Sequence, residues 1–186
     1  MRDFQSKTYW IVGASEGLGR ALALQLAEIG AQVIISARNV ERLIELSEEI
    51  GPNSLVLPMD VSDESSVRKA FSKLPKTLDG FVFISGVYWH INASSWDREK
   101  AEEMIDVNLV GAMRCLGHVV PKFTGQGFGH IVLTGSIAGY RGLPGSVGYC
   151  ASKAGLMSLA ETLKIDLAKD NIDVQLLNPG YIKTRL

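Results

Sequence analysis

A tyrosine and a lysine four residues apart are the side chains of this sequence best suited to moving a proton. Tyr149 and Lys153 occur in the segment Tyr-Cys-Ala-Ser-Lys, and this spacing places both on one face of a helix. A free phenol has a pKa of ~10 and is a poor base near neutral pH. A neighbouring ammonium stabilises the phenolate and lowers that pKa, so the pair is equipped for general acid–base chemistry. The spacing by itself is also that of an ordinary pair on a helix surface.

A glycine-rich turn near the N-terminus follows an apolar run of strand length and precedes an amphipathic helix. Glycines let a backbone turn sharply and approach a pyrophosphate, while the amides at the start of the helix point at its negative charge. We therefore predict a dinucleotide site here, although a tight turn without a ligand has the same pattern. The predicted cofactor contacts in the turn are Gly13, Ser15, Glu16, Gly17, Leu18 and Gly19.

The end of the second predicted strand should meet the adenosine ribose of such a cofactor. An acidic residue there would bind the 2′-hydroxyl and favour NAD, but this chain has Ser36-Ala37-Arg38. Arg38 can pair with a 2′-phosphate, which favours NADP with NAD as a possible alternative. Glu16 argues in the other direction because it puts negative charge near that pocket. A solvated loop arginine is the other reading of Arg38.

Short apolar runs alternate with helical patterns along the chain. Six strands are predicted over residues 8–12, 32–37, 54–58, 80–85, 129–134 and 172–177. Helices are predicted over residues 18–29, 40–50, 62–74, 96–123 and 147–170. Continuous apolar strands are typical of parallel strands covered on both faces. The alternation implies right-handed crossovers, and so an α/β fold with a doubly wound parallel sheet in three αβα layers, in one domain over residues 1–186.

The composition and charge of the chain exclude some classes of binding partner. The formal net charge of −1, with no block of like charges, predicts no nucleic-acid surface and no polybasic membrane patch. We find no signal peptide or bilayer-spanning run, so we expect a cytoplasmic protein. Cys115 and Cys150 lie far apart and are expected to be reduced thiols rather than metal ligands. No metal site is expected.

The glycine turn followed by Tyr149-Cys-Ala-Ser-Lys153 resembles the short-chain dehydrogenase/reductase family, which has a Rossmann fold. The resemblance covers essentially the whole chain, with Val12 where the family has a threonine. It implies a catalytic set of Asn108, Ser136, Tyr149 and Lys153. It also implies cofactor contacts from Asp60, Val61, Gly86, Tyr149, Lys153, Pro179, Gly180, Ile182 and Thr184.

Each catalytic residue has a role that the resemblance implies. Ser136 would orient the substrate carbonyl, and Tyr149 would give or take the proton of the substrate oxygen. Lys153 would also hold the ribose hydroxyls of the nicotinamide. Asn108 would anchor a water that relays protons from Lys153 to solvent.

Two departures from the family pattern matter. The family's Asn-Asn-Ala-Gly is Phe83-Ile84-Ser85-Gly86 here, so another group must brace the fourth strand. The sequence ends at Leu186, before the family's substrate-covering segment and last strand, so the C-terminal part of the family fold is expected to be absent. Three explanations are open: an omitted mobile lid, a truncated chain or a natural short form.

These residues favour NADP-dependent hydride transfer between the cofactor and a carbonyl or secondary alcohol. The alternative is a non-catalytic, nucleotide-binding redox sensor or scaffold. Tyr88, Trp89, Leu143 and Ser146 are candidate substrate contacts, although aromatic packing explains Tyr88 and Trp89 equally well. The family commonly forms dimers or tetramers through its two long helices. Surplus apolar positions predict a homodimer or homotetramer here: Met157, Leu159, Leu163 and Leu167.

Overall fold

All six predicted strands occur in the computed structural model, which describes residues 2–182. They form one parallel sheet in the order β3-β2-β1-β4-β5-β6. The strands are β1 Thr8–Val12, β2 Gln32–Ser36, β3 Ser54–Val56, β4 Gly80–Phe83, β5 Gly129–Thr134 and β6 Ile172–Leu177. The doubly wound α/β fold is therefore confirmed, and the chain reverses direction across the sheet between β1 and β4.

Helices cover both faces of the sheet. They are α1 Gly17–Glu28, α2 Val40–Ile50, α3 Glu64–Phe71, α4 Arg98–Ile105, α5 Gly111–Gln126 and α6 Val147–Asp166. Successive strand residues alternate between the two faces. Trp10 therefore packs in the core shared with α3, α5 and α6, while Ile11 packs in the core shared with α1 and α2.

Several helices and strands are shorter than predicted, because side-chain caps and loops limit them. The helix predicted from residue 62 begins at Glu64, since the Asp63 carboxylate accepts a hydrogen bond from the Ser65 backbone amide. That contact satisfies one of the unpaired amides at the helix start. Strand β4 ends at Phe83 rather than at residue 85, and α6 ends at Asp166.

The long helix predicted over residues 96–123 is wrong in one important respect. It begins at Arg98, because Asp97 caps it, and a π-helical turn over Asp106–Val110 separates α4 from α5. Turns of this kind are often found at functional sites. No apolar periodicity marks the turn, which places Asn108 fully buried behind the loop that follows β4.

The residues that predicted an oligomer are used within the chain itself. Met157 and Leu167 are buried, and Leu159 and Leu163 are partly buried against the core that contains Leu167. Their number therefore reflects packing of α6 onto the sheet and gives no reason to expect a second copy. Among the described residues, the exposed large apolar side chain of this helix is Ile165.

A polar cluster closes the amino-terminal edge of the sheet. The Tyr9 hydroxyl lies 3.0 Å from Nδ1 of His130, whose Nε2 lies 3.2 Å from Oε1 of Gln175. Nearby, Asp79 pairs with Lys7 and accepts a hydrogen bond from the Thr8 amide. These histidine contacts are structural. Within residues 2–182, every helix is too short or too polar to cross a membrane.

Candidate active site

The predicted site residues gather at the carboxyl-terminal edge of the sheet. Gly13 follows β1, Arg38 follows β2 and Asp60 lies beyond β3, while Gly86, Ser136 and Pro179 follow β4, β5 and β6. Ligands bind at this edge in open α/β sheets, next to the point where the strand order reverses. Among the predicted site residues, Thr184 lies outside those that the structure describes.

The glycine turn has the tight geometry that a cofactor pyrophosphate requires. Gly13 has a φ of +97°, and a Cβ atom there would lie 2.5 Å from the Ser85 backbone nitrogen. A Cβ atom on Gly19 would lie 2.1 Å from the Gly13 carbonyl oxygen. Side chains are therefore excluded from both positions. Among the described residues no side chain caps the start of α1, so its first amides are suited to an anionic ligand.

The region next to the predicted ribose pocket carries two arginines and one glutamate. Arg38 is exposed at the end of β2. The Glu16 carboxylate accepts a hydrogen bond of 2.7 Å from Arg42, which lies in the first turn of α2. The negative charge that argued against a 2′-phosphate is therefore partly balanced by Arg42. This contact could not be predicted from the sequence, because Glu16 and Arg42 are far apart along the chain.

Asp60 and Val61 have specific partners in the protein. Oδ1 of Asp60 accepts hydrogen bonds from the backbone amide and the hydroxyl of Ser62. Val61 is 5% exposed and lies against Gly111, where a Cβ atom would approach it to 2.9 Å. The pair thus fixes the loop after β3, and Gly111 lets α5 approach that loop closely.

Lys153 is buried, and burial changes its acidity. Its side chain is 4% exposed, and Nζ donates a hydrogen bond of 2.8 Å to the Thr134 carbonyl oxygen. Desolvation lowers the pKa of Lys153 from 10.5 to about 8, because a low-dielectric site disfavours the charged form. The ammonium lies 5.7 Å from the centroid of the Tyr149 ring. The two predicted partners are therefore adjacent, as their helical spacing requires.

Tyr149 has a raised pKa in the protein alone, which differs from the expected lowering. Burial is the largest cause and raises the pKa of the phenol, while the hydrogen bond with the Ser136 side chain lowers it. Cys150 and Tyr88 raise it further. The lowering was expected from Lys153 together with an oxidised nicotinamide, and desolvation opposes both in this partly buried position.

Ser136 has both a structural and a chemical use. Its Oγ accepts a hydrogen bond of 3.1 Å from the Ala138 amide and so caps the short 3₁₀ turn Ile137–Gly139. Accepting that bond leaves the hydroxyl proton available for donation. Ser136 also acts on the Tyr149 phenol and lowers its pKa, so a substrate oxygen could bind to both hydroxyls.

Asn108 braces the segment after β4, where the sequence lacks the family's asparagines. Its Oδ1 accepts a hydrogen bond from the Val87 amide at 2.7 Å, and its Nδ2 donates to the Val87 carbonyl at 3.0 Å. Nδ2 also donates to Ser152. A Cβ atom on Gly86 would lie 3.3 Å from Oδ1 of Asn108 and 3.8 Å from Nζ of Lys153. Asn108 therefore holds the loop that passes beside Lys153.

The segment after β6 reaches the same site. The Pro179 carbonyl oxygen lies 3.4 Å from the Ile137 amide, which connects this segment to the turn after Ser136. Gly180 and Ile182 are exposed. Two buried atoms nearby, Oγ1 of Thr134 and Oδ1 of Asn178, have no hydrogen-bond partner among the described residues. Unsatisfied buried atoms are uncommon in native proteins, and both lie at the strand ends that face the site.

Three supporting contacts at this site could not be predicted from the sequence. They are the Thr134 carbonyl that binds Lys153, the Ser152 hydroxyl beside Asn108, and the Tyr88 ring, which lies edge-on to Tyr149 with centroids 5.2 Å apart. Tyr88 was a candidate only for substrate contact or packing. The spacing of residues along the sequence does not reveal contacts with backbone acceptors or between rings. A polar residue at the end of a predicted strand is the signal that could have indicated Thr134.

Known proteins of similar sequence show the family to which this chain belongs. The family model described as short chain dehydrogenase matches residues 7–186. The chain belongs to the short-chain dehydrogenase/reductase family. The 3-oxoacyl-(acyl-carrier-protein) reductase of Rickettsia conorii is 34% identical over 184 residues, which are 99% of this chain and 76% of that protein. An uncharacterized oxidoreductase of Myxococcus xanthus is 33% identical over 192 residues, covering 100% of this chain and 76% of that protein.

Solved structures have the same fold. A serine dehydrogenase in its closed form, complexed with NADP+, superposes with a TM-score of 0.93 at 28% identity, covering 96% of this chain and 74% of that one. As a member of the short-chain dehydrogenase/reductase family, the chain is an NAD(P)-dependent oxidoreductase that acts on CH–OH or carbonyl groups.

Proposed function

We propose that this short-chain dehydrogenase/reductase uses NADP and transfers a proton through Tyr149 while a ketone, aldehyde or secondary alcohol reacts. The observation that carries the proposal is the contact between buried Lys153 and Tyr149, with Ser136 beside the phenol. The cofactor supplies or takes the hydride when it is bound. The residues of the chain bind the substrate oxygen, orient it and move its proton.

The proton path follows from the acidity of the two side chains. In carbonyl reduction the Tyr149 hydroxyl donates its proton to the substrate oxygen, and in alcohol oxidation the phenolate accepts it. Lys153 supports the phenolate through its adjacent positive charge. Because the pKa of Lys153 is lowered to about 8, its ammonium can release a proton near neutral pH and so resupply Tyr149.

Ser136 and Asn108 complete the proposed set without donating the transferred proton themselves. The Ser136 hydroxyl orients the substrate oxygen next to the phenol. The Asn108 side chain donates both amide protons to Val87 and Ser152, while Oδ1 accepts the Val87 amide. Its second oxygen lone pair is the one that a relay water beside Lys153 would use.

The preference for NADP rests on positive charge at the end of β2. Arg38 is exposed there, and a guanidinium forms strong paired hydrogen bonds with phosphate oxygens. Replacing Arg38 with alanine should raise the KM for NADPH roughly tenfold while changing that for NADH little, since the lost contact is charge-assisted. Arg98→Ala, in an exposed pair on α4, is the control. A wild-type preference for NADH would contradict the assignment.

The activity itself is tested by NADPH oxidation with a panel of ketones and aldehydes. We expect turnover that Ser136→Ala reduces by roughly 10- to 1000-fold, in the range found for one lost oxyanion donor. Ser158→Ala, on the exposed face of α6, is the matched control. Binding of NADPH without turnover of any carbonyl would favour the alternative, a nucleotide-binding sensor or scaffold.

The expected homo-oligomer is retained as a proposal on a different observation. A groove of about 480 Å³ between α4 and α6 is lined mainly by apolar side chains, with Trp96 60% exposed beside it. A contiguous exposed apolar patch commonly marks a protein interface. Light scattering at micromolar concentration should give a dimer or tetramer mass, and a monomer mass would contradict this. A cytoplasmic location stays a prediction.

A further inference from the structure

Two loops at the carboxyl-terminal edge are fastened to each other beside Tyr149. The Ile91 amide donates a hydrogen bond of 2.8 Å to the Gly145 carbonyl, and Ile91 forms a parallel bridge with Ser146. Gly145 has a φ of +72°, and a Cβ atom there would lie 2.0 Å from the His90 ring. The absence of a side chain at Gly145 therefore lets His90 pack against the second loop.

Three polar side chains meet where these loops join. The Tyr88 hydroxyl lies 3.4 Å from Nδ1 of His90 and 3.4 Å from Oγ of Ser146. Good hydrogen bonds between hydroxyl groups are 2.5–3.0 Å long, so both contacts are weak. Within residues 2–182 the Tyr88 hydroxyl has no shorter hydrogen bond. Ser146 is 6% exposed, and a buried hydroxyl without a good partner is unfavourable.

This cluster adjoins the reacting centre. The Tyr88 and Tyr149 rings are edge-on with centroids 5.2 Å apart. Both rings pack on one apolar cluster formed by Ile91, Ala101 and Met104. The Tyr88 hydroxyl, with His90 and Ser146 beside it, therefore belongs to the side chain that lies directly against the Tyr149 ring.

We infer that Tyr88, His90 and Ser146 form a second binding point, which selects carbonyl substrates carrying another oxygen acceptor a few bonds from the reacting carbon. Two hydroxyls and an imidazole can all donate hydrogen bonds, which fits a carboxylate or an ester oxygen. This inference rests on the proposed function, since it places the reacting carbonyl at Tyr149. The corresponding hydroxy acids and hydroxy esters are the substrates for oxidation.

The test is a ratio of specificities for three ketones of similar size. NADPH-dependent reduction is measured with acetoacetate, ethyl acetoacetate and methyl propyl ketone, and kcat/KM for each acceptor-bearing ketone is divided by that for the plain ketone. We expect the wild-type ratio to be well above one for at least one acceptor. Tyr88→Phe and Ser146→Ala should each lower it about tenfold, since each removes one hydrogen bond. The ester and the acid separate a neutral acceptor from a charged one.

Two controls separate recognition from catalysis. Tyr149→Phe should lower turnover of all three ketones by one common factor and leave the ratio unchanged. His118→Gln removes a histidine that pairs with Glu64 away from the site and should also leave the ratio unchanged. Equal turnover of the three ketones by the wild type, or an unaltered ratio in both cluster variants, would overturn the inference and leave the proposed function standing. Absence of turnover with every ketone would overturn both.

Discussion

The two edges of the sheet each hold a buried basic side chain, but only one of these is suited to chemistry. At the carboxyl-terminal edge, burial lowers the pKa of Lys153 to about 8. At the amino-terminal edge, burial lowers the pKa of His130 to about 4. The cause and direction are the same. The starting pKa values differ, so near neutral pH Lys153 can exchange a proton whereas His130 stays neutral.

The surroundings of the two groups reinforce this difference. Both ring nitrogens of His130 have side-chain partners, Tyr9 and Gln175, so the imidazole acts as a structural bridge. Within residues 2–182, Lys153 donates a hydrogen bond to one protein acceptor, the Thr134 carbonyl, although its ammonium has three protons to donate. A pKa shift therefore indicates a functional group only where the geometry leaves hydrogen-bonding capacity for a ligand.

We expect the largest effect from a substitution in the glycine turn at the carboxyl-terminal edge. Gly19→Ala would place a Cβ atom 2.1 Å from the Gly13 carbonyl oxygen, which forces the turn open. We expect loss of measurable NADPH binding by calorimetry and a fall of roughly 3 kcal/mol in the free energy of unfolding. Gly117→Ala is the control, because open space surrounds that helical position; it should gain roughly 0.5–1 kcal/mol. Normal NADPH affinity in Gly19→Ala would show that the turn does not bind the cofactor.

Lys153→Met tests whether Lys153 is needed for activity although its burial lowers the stability of the protein. Turnover should fall roughly 100- to 10,000-fold, because the acid–base pair loses its cation. Stability at pH 7 should rise by roughly 1–2 kcal/mol, since replacing a buried charge with an apolar side chain of similar size removes its desolvation cost. The folded-state pKa lies below the unfolded one, so the wild type should gain stability as pH rises from about 8 to 10.5, and the variant should lack that gain. Denaturant unfolding measures both effects, and a less stable variant would contradict the account.

The smallest expected effect is confined to the amino-terminal edge. The folded-state pKa of His130 is about 4 against 6.5 for the free side chain, so the unfolded chain binds the extra proton between these values. The wild type should therefore lose roughly 1–3 kcal/mol of stability as pH falls from 6.5 to 4. His130→Gln should lose less over the same interval. Equal pH dependence in His130→Gln and the wild type would remove His130 as the cause.

Much of this molecule could be predicted from residue patterns, because the patterns reflect burial. Continuous apolar strands predicted the parallel sheet, and the four-residue spacing predicted that Tyr149 and Lys153 meet. The π turn around Asn108 was not predictable, because its hydrogen bonds to Val87 and Ser152 depend on residues distant in sequence. The raised pKa of Tyr149 was missed for a similar reason, since desolvation depends on everything packed around the ring.

Two tyrosines at opposite edges of the sheet provide the most direct test that Tyr149 transfers the proton. Tyr149→Phe and Tyr9→Phe each remove one hydroxyl, and NADPH oxidation with a saturating ketone is measured for both at pH 7. Tyr149→Phe should lose roughly 100- to 10,000-fold in kcat while still binding NADPH, because the general acid is gone. Tyr9→Phe should retain wild-type kcat, since Tyr9 contacts His130 at the other edge. Equal turnover in Tyr149→Phe and the wild type would contradict the account.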